Sequence, residues 1–323
     1  MSKNMFYCCP EIGCNNATLL EDATGLHCPN GHLFPYAQGT KVPVFASESE
    51  NVNEYTSENA AEIHDNSLRW LFDTFETDEP SLRKTLIAKL DLRKGMKILV
   101  TGAGAGNDLS YLVESMAGEG VIFAQDISKQ MLLVGAERSY AELHDSGVEF
   151  FFSVSDATNL PFLDNIFDAA YHFGGLNLFP DIQKGIAEMN RVVKFGGKIV
   201  VGDEGVAPWL KQTEYGQMLI KNNPLCAYDA PLSLLPESAK SVKLSWELDY
   251  YFYVIEFTVS NSAPRINIDI PHVGKRGGSI RTRYFGQMEG IDPTLRDKLY
   301  TEAEKQGISR VAYLESLLKK GIS

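Results

Sequence analysis

The sequence contains no apolar run of about 18 or more residues, which excludes a membrane-crossing helix. Its opening, Met1-Ser2-Lys3-Asn4-Met5-Phe6-Tyr7-Cys8-Cys9, has no apolar signal core, so the expected location is cytoplasmic. Cysteine is scarce, with five in 323 residues. Four of the five fall before residue 29, a clustering that in an intracellular chain points to metal. Positive charge is also short: 30 Lys and Arg against 42 Asp and Glu give a formal net charge of −12. That balance disfavours a long, sequence-independent grip on a nucleic-acid backbone, although a local basic patch is compatible with it. What remains, 44% hydrophobic and 22% charged, is ordinary for a globular chain with room for one substantial domain and smaller modules.

The organising stretch is Ile98-Leu99-Val100-Thr101-Gly102-Ala103-Gly104-Ala105-Gly106-Asn107-Asp108. A short apolar run feeds three glycines at alternate positions, and Leu109, Leu112 and Val113 resume at helical spacing. Strand, tight turn and helix in that order make the first βα unit of a doubly wound sheet, whose turn N–H groups and helix N-terminus suit an anionic ligand. A dinucleotide fingerprint needs glycine at 107, where Asn107 stands. The spacing G-x-G-x-G instead resembles that of Rossmann-like methyltransferases that use S-adenosylmethionine (SAM).

The remaining units follow in order. Gly120 to Ser128 reads as a buried strand ending in Asp126-Ile127, an acid placed to accept from both ribose hydroxyls of an adenosyl ligand. Val148 to Val154 is a third strand, followed by Asp156-Ala157, where a carboxylate can accept from an adenine amino group. Asp168 to Phe173 is a fourth strand, and its end, with His172, Phe173 and Gly174 to Asn177, faces the ligand edge of the sheet. Asp181 to Val193 reads as a helix, Lys194 to Gly197 as a turn, and Lys198 to Glu204 as a fifth strand. Val242 to Leu248 and Phe252 to Val259 pair as an antiparallel hairpin that completes seven strands. The run from Asp156-Ala157 through Leu160-Pro161-Phe162 and Phe167-Asp168 to Arg191-Val192-Val193-Lys194-Phe195-Gly196-Gly197 resembles the small-molecule methyltransferases that include the ubiquinone/menaquinone C-methyltransferases. The resemblance covers about residues 95 to 205. It implies SAM contacts at Gly102, Ala103, Gly104, Gly106, Asn107, Asp126, Ile127, Asp156, Ala157, His172 and Phe173. Two positions depart from that pattern: Val100 stands where most members carry an acid, and Phe195 where proline is usual. The sequence names no catalytic residue. His172 is the one candidate base by position, but a lone histidine there is more often a packing or cofactor-shell residue, so no catalytic role is assigned to it.

The flanks add modules. Residues 1–46 carry Cys9, Cys14, Cys28 and His32 in C-x4-C-x13-C-x3-H, a donor set for tetrahedral, structural Zn²⁺. Cys8 can replace Cys9 in this pattern, and His27 can replace His32. The stretch Cys28 to Phe34 resembles the zinc module of bacterial 23S ribosomal RNA guanine-N1 methyltransferases, although that family usually spaces its first pair by two residues. Residues 47–94 are a linker (47–56) and two helices, Glu58 to Asp78 and Leu82 to Leu90, which read as core helices more than as a cofactor cover. The main domain spans 95–260. Its Pro-rich stretch 206–241 reads as an irregular substrate cover in which Trp209, Tyr215 and Tyr228 shield the sulfonium. In the appendage 261–323, Ile280 to Phe285 reads as a strand and Pro293 to Gln306 and Ser309 to Lys320 as helices, an order that resembles a ribbon-helix-helix unit. A packing or homodimer-forming role is the simpler reading of it. The expected architecture is thus α/β: a Rossmann-like, seven-stranded, mostly parallel sheet with an N-terminal zinc-binding module and a C-terminal helical appendage. The expected function is SAM-dependent methyl transfer to an O, N or C atom of a small molecule, with no membrane partner. Two alternatives stay open: an rRNA or tRNA base methyltransferase using Lys275, Arg276, Arg281 and Arg283, and a non-catalytic SAM-binding regulator with a DNA-binding tail.

Overall fold

The structure, a computed structural model, describes residues 6–46, 55, 57, 59–274, 278–284 and 292–322. The linker 47–56 apart from Tyr55, together with Lys275, Arg276, Gly277 and Phe285, lies outside the described residues. Residues 1–264 and 265–323 form two compact units.

In the first unit, β1 (Leu20–Glu21), β2 (Gly25–His27) and β3 (Leu33–Pro35) make a small antiparallel sheet. Two helices follow, α1 (Ala60–Thr74) and α2 (Glu79–Ala88), the second capped by Asp78, which accepts from Ser81 N at 2.9 Å. Then strands and helices alternate: β4 (Lys97–Thr101), α3 (Leu109–Ser115), β5 (Gly120–Asp126), α4 (Lys129–Leu143), β6 (Val148–Val154), β7 (Phe167–Phe173), α5 (Ile182–Val192) and β8 (Val193–Glu204). After α6 (Glu214–Asn222), the hairpin β9 (Lys240–Glu247) and β10 (Phe252–Thr258) closes the sheet. Its order is β6-β5-β4-β7-β8-β10-β9, parallel except for β10, which is antiparallel to both β8 and β9. The order reverses between β4 and β7, and in an open α/β sheet ligands bind outside the strand ends at such a switch point.

Period-two alternation builds both faces of this sheet. Leu99, Phe123, Phe167, Ile199 and Val201 point into one layer, covered by Ile186, Met189 and Val192 of α5. Ile98, Val100, Ile122, Ala124, Tyr171 and Val200 point into the other, covered by α2, α3 and α4. Val100 is therefore a core side chain with 2% exposure. The N-terminal segment shares the first layer: Tyr7 stacks on Phe162 with centroids 5.2 Å apart, and Phe6 meets Phe123 edge-on. The same segment extends the sheet edge, because Val44 bridges to Val154 in parallel.

Three readings need correction. The stretch 206–241 contains a helix, α6, because Thr213 caps it by accepting from Gly216 N at 3.2 Å. The turn read at Lys194 to Gly197 is continuous with β8, Gly196 taking φ +86 within the strand. In the second unit, Ile280–Tyr284 is a short helix, α7, where a strand was read. Ser279 and Thr282 exchange backbone–side-chain hydrogen bonds at its start (2.9 and 3.4 Å), a local cap that outweighs the β preference of Ile and Thr. The ribbon of the ribbon-helix-helix reading is thus absent among the described residues. Helices α8 (Pro293–Lys305) and α9 (Arg310–Ile322) follow as read, α8 capped by Asp292. Arg281 of the basic cluster is held by both oxygens of Asp269, at 2.5 and 3.0 Å.

Candidate functional site

The strand ends at the switch point open on a cavity of about 610 Å³, within the range of roughly 300–1,000 Å³ common for small-molecule sites. One wall is the turn after β4. Gly102, Gly104 and Gly106 take φ of +61, +51 and +82, where a side chain would be strained. A Cβ at Gly102 would lie 2.8 Å from His172 Cε1, so the turn also sits too close to β7 for any larger residue.

Asp126, at the end of β5, fastens this turn. Its Oδ2 accepts from Gly104 N at 2.8 Å and its Oδ1 from Ser128 N at 2.7 Å. Ile127 N–H also donates to this carboxyl, and its roughly four lone-pair sites still leave room to accept from an occupant. Burial pushes its pKa up, against the lowering effect of these N–H donors. Ser128 in turn caps α4 through Met131 N and donates to Tyr55 O. After β6, Asp156 binds Thr158 N at 2.7 Å and Thr158 Oγ1 at 2.9 Å, an Asx turn that orients Asp156 and Ala157 into the cavity wall.

His172 has 1% exposure, and burial lowers its pKa to about 4, so it is neutral. Its Nδ1 lies 2.9 Å from Thr101 O, an atom that can only accept, so Nδ1 carries the proton. Nε2 is then an acceptor, and it is buried with no partner among the described residues. Asn107 Oδ1, in the same wall, is a second buried acceptor without a partner among the described residues. An occupant that brings N–H donors would satisfy both.

Of the residues implied by the resemblance, Gly102, Ala103, Gly104, Asn107, Asp126, Ile127, Asp156, Ala157, His172 and Phe173 line this cavity together. Gly106 does not; it packs against Gly135 of α4.

The other end of the cavity is apolar. Helix α1 supplies Leu68, Trp70, Leu71 and Phe72, so it is a wall of the site as well as a core helix. Leu178, Phe179, Leu225, Tyr251 and Phe252 add to this apolar lining. The aromatics singled out in the sequence are elsewhere: Trp209 is 60% exposed against Trp246 and Tyr250, Tyr228 is exposed, and Tyr215 donates to Asp249 O. None of the three lines the cavity.

Further polar side chains line it that the sequence pattern does not single out, among them Arg83, His64, Glu204 and Asn222. Arg83 of α2 is buried between Glu79 (2.5 Å) and Asp108 (2.6 Å), and the latter also accepts from Tyr171 OH. His64 of α1 has its pKa lowered, chiefly by burial. Glu204 ends β8 and Asn222 ends α6. The one sequence signal for Glu204 is its place, with Asp203, at the carboxyl edge of a strand.

A second constellation lies in the N-terminal segment. Donor atoms of Cys9, Cys14, Cys28 and His32 all lie within 4.8 Å of one another. Ideal Zn–S of about 2.3 Å and Zn–N of about 2.0 Å imply tetrahedral edges near 3.8 Å for S···S and about 3.5 Å for S···N. The structure has 3.7 Å for Cys14–Cys28, and 3.6 and 3.3 Å for Cys9 and Cys14 to His32 Nδ1. Cys8 points elsewhere and His27 is engaged by Asp22 at 2.9 Å, which decides both open alternatives. All three thiols are buried, a closed set suited to a structural metal.

Residues 79–211 match the ubiE/COQ5 methyltransferase family. The ubiquinone/menaquinone biosynthesis C-methyltransferase UbiE of Cupriavidus pinatubonensis is 39% identical over 116 residues, 36% of this chain and 46% of that protein. The demethylmenaquinone methyltransferase of Desulfitobacterium hafniense is 35% identical over 118 residues, with the same coverage of 36% and 46%. The chain thus spans less than half the length of these relatives. Among solved structures, Haemonchus contortus phosphoethanolamine N-methyltransferase 2 in complex with SAM superposes with a TM-score of 0.50 at 13% identity, over 70% of this chain and 62% of that one. That likeness shows a shared fold. Among the described residues, no helix is long and apolar enough to cross a membrane.

Proposed function

We propose that this chain, whose residues 79–211 form a SAM-dependent methyltransferase domain of the ubiE/COQ5 family, transfers a methyl group to a small molecule with an apolar body. The observation that carries the reading is one cavity with two chemistries. Asp126, Asp156, the glycine turn and two partnerless acceptors stand at one end, and Trp70, Leu71, Tyr251 and Phe252 at the other.

SAM supplies a methyl carbon on a positively charged sulfur that leaves as a neutral thioether. The protein's work is then to hold and align. Asp126 would accept from the ribose hydroxyls with the lone pairs that Gly104, Ile127 and Ser128 leave. Asp156 and Ala157 would meet the adenine, and His172 Nε2 and Asn107 Oδ1 would accept from donors of the bound cofactor. The apolar end would orient the acceptor and exclude water. The names of the two relatives, one acting in ubiquinone and menaquinone biosynthesis and one on demethylmenaquinone, favour an acceptor of this apolar kind. For the RNA reading, Arg281 is already committed to Asp269. We further assign one structural Zn²⁺ to Cys9, Cys14, Cys28 and His32, on the strength of their tetrahedral edge lengths.

Calorimetry tests the cofactor directly. SAM and S-adenosylhomocysteine should bind and NAD should not, and Asp126→Ala should weaken SAM by about 1–3 kcal/mol through unpaired ribose hydroxyls. Binding of NAD with no binding of SAM refutes the proposal.

A further inference from the structure

We propose that Glu204 is the proton acceptor of the methyl-transfer site and that its charge follows the charge of the cofactor in the same cavity. The inference rests on the methyltransferase reading above.

Geometry singles out this side chain. Glu204 is paired with Phe252 across β8 and β10, and its main chain is held by Asn177 Nδ2, which donates to Glu204 O at 2.7 Å. The neighbouring carboxyl, Asp203, is fully buried and turned inward, where it accepts from Gly175 N (3.2 Å), Asn177 N (2.5 Å) and Glu204 N (2.8 Å). Of the two, only Glu204 lines the cavity, between Asn222 and Asn223 of the α6 end and Tyr251 and Phe252 of the hairpin. Among the described carboxyls of the cavity wall, Asp108 is paired with Arg83, and Asp126 and Asp156 fasten the turns after β5 and β6, which leaves Glu204 for the acceptor.

Among the described residues, the basic groups of the cavity wall are Arg83, which is paired with Glu79 and Asp108, the neutral His172, and His64. His64, which faces it from α1, has its pKa lowered by burial. The Cys226 thiol is pushed up to about 11 by burial, and the Tyr251 and Tyr253 phenols are pushed up by burial too, so all three are neutral. Burial first, then the hydrogen bond and charge of Asp203, raise the Glu204 carboxyl to about 9. With His64 neutral and Arg83 committed to Glu79 and Asp108, it keeps its proton.

A sulfonium is a cation, and an opposite charge within about 4–6 Å typically lowers a carboxyl pKa by roughly 1–3 units. Glu204 would then release its proton to solvent as SAM binds and become a base. During transfer it takes the proton that the acceptor atom loses, as that atom's bond to the methyl carbon forms and the carbon–sulfur bond breaks. Sulfonium and carboxylate disappear together, leaving a thioether and a neutral carboxyl, so the buried site never holds an uncompensated charge.

The test is proton counting by calorimetry at pH 8, in buffers of low and high ionisation enthalpy. S-adenosylhomocysteine is the control, since it has the same amino and carboxyl groups without the sulfonium. Lowering of the raised Glu204 carboxyl by the sulfonium predicts that SAM releases a measurable fraction of a proton more than S-adenosylhomocysteine does. Glu204→Gln should still bind both and abolish the difference. Equal proton counts for the two ligands in the wild type, or an excess that survives in Glu204→Gln, would overturn the role of Glu204 and leave the cofactor assignment standing. Failure of the folded wild type to bind either ligand would overturn the methyltransferase reading itself, and this inference with it.

Discussion

Gly135→Ala separates helix propensity from the seating of the glycine turn. In an exposed helix interior this change stabilises by about 0.5–1 kcal/mol. Gly135 lies within α4, but its missing side chain faces the turn: a Cβ there would be 2.7 Å from Gly104 O, 3.0 Å from Ala105 C and 3.1 Å from Gly106 N. Ordinary contact begins at 3.4 Å, so helix and turn must separate by about 0.7 Å (3.4 less 2.7), and no rotamer can relieve a backbone contact. Overpacking of this kind costs about 1–3 kcal/mol, which more than cancels the propensity gain. The displaced segment includes Gly104 N, the donor to Asp126, so the larger effect falls on cofactor binding. SAM affinity should drop about 10- to 100-fold, equivalent to roughly 1.4–2.7 kcal/mol, while the fold survives. The assay is calorimetric Kd beside a thermal melt. A variant that melts higher than wild type and binds SAM equally well would refute the argument.

Two other perturbations follow from the same geometry. Cys28→Ser should lose the metal by elemental analysis and also weaken SAM. The N-terminal segment grips the loop after Asp156, through Cys8 N to Pro161 O (2.9 Å), Leu163 N to Phe6 O (3.3 Å) and Asn159 Nδ2 to Pro10 O (3.2 Å); full metal content in the variant contradicts this. Buried, neutral His172 should make the protein acid-sensitive. With its folded pKa near 4, below the ordinary 6.5, the unfolded chain binds more protons between those values. Stability is therefore complete above about pH 6.5 and lost as pH falls toward 4, by about 3 kcal/mol. Raised groups such as Asp126 and Glu204 act with the opposite sign, so the quantity to measure is wild type minus His172→Asn, and parallel denaturation profiles would contradict the assignment.

The repetitive part of the molecule was legible because each parallel strand is a short apolar run closed by a turn signal. The run Val148 to Val154 has the bounds of a strand of the structure, and the strand-end acids Asp126 and Asp156 both line the cavity. Where local chemistry competed with composition, the reading failed. Four prolines, at 208, 224, 231 and 236, suggested irregular chain, yet all lie outside α6, whose Thr213 cap decides the helix. The aromatics of that stretch looked suited to a cation, but Trp209 spends its face on Trp246 and Tyr250 of the hairpin, a tertiary choice that no spacing encodes. Glu204 was invisible as a functional group for a similar reason. A carboxyl ending a strand is ordinary until β10 and the α6 end close over it, and both come from distant sequence. The thiol cluster lies between these cases: its spacing announced a tetrahedral set, and the choice of Cys9 over Cys8 needed the backbone.

The central claim is methyl transfer to a small apolar acceptor, and the most direct measurement is incorporation of label from methyl-labelled SAM into fractionated cell extract. Wild-type protein should label a fraction soluble in organic solvent and leave RNA unlabelled, and Asp126→Ala should lower the signal. Label in RNA with none in the small-molecule fraction would contradict it.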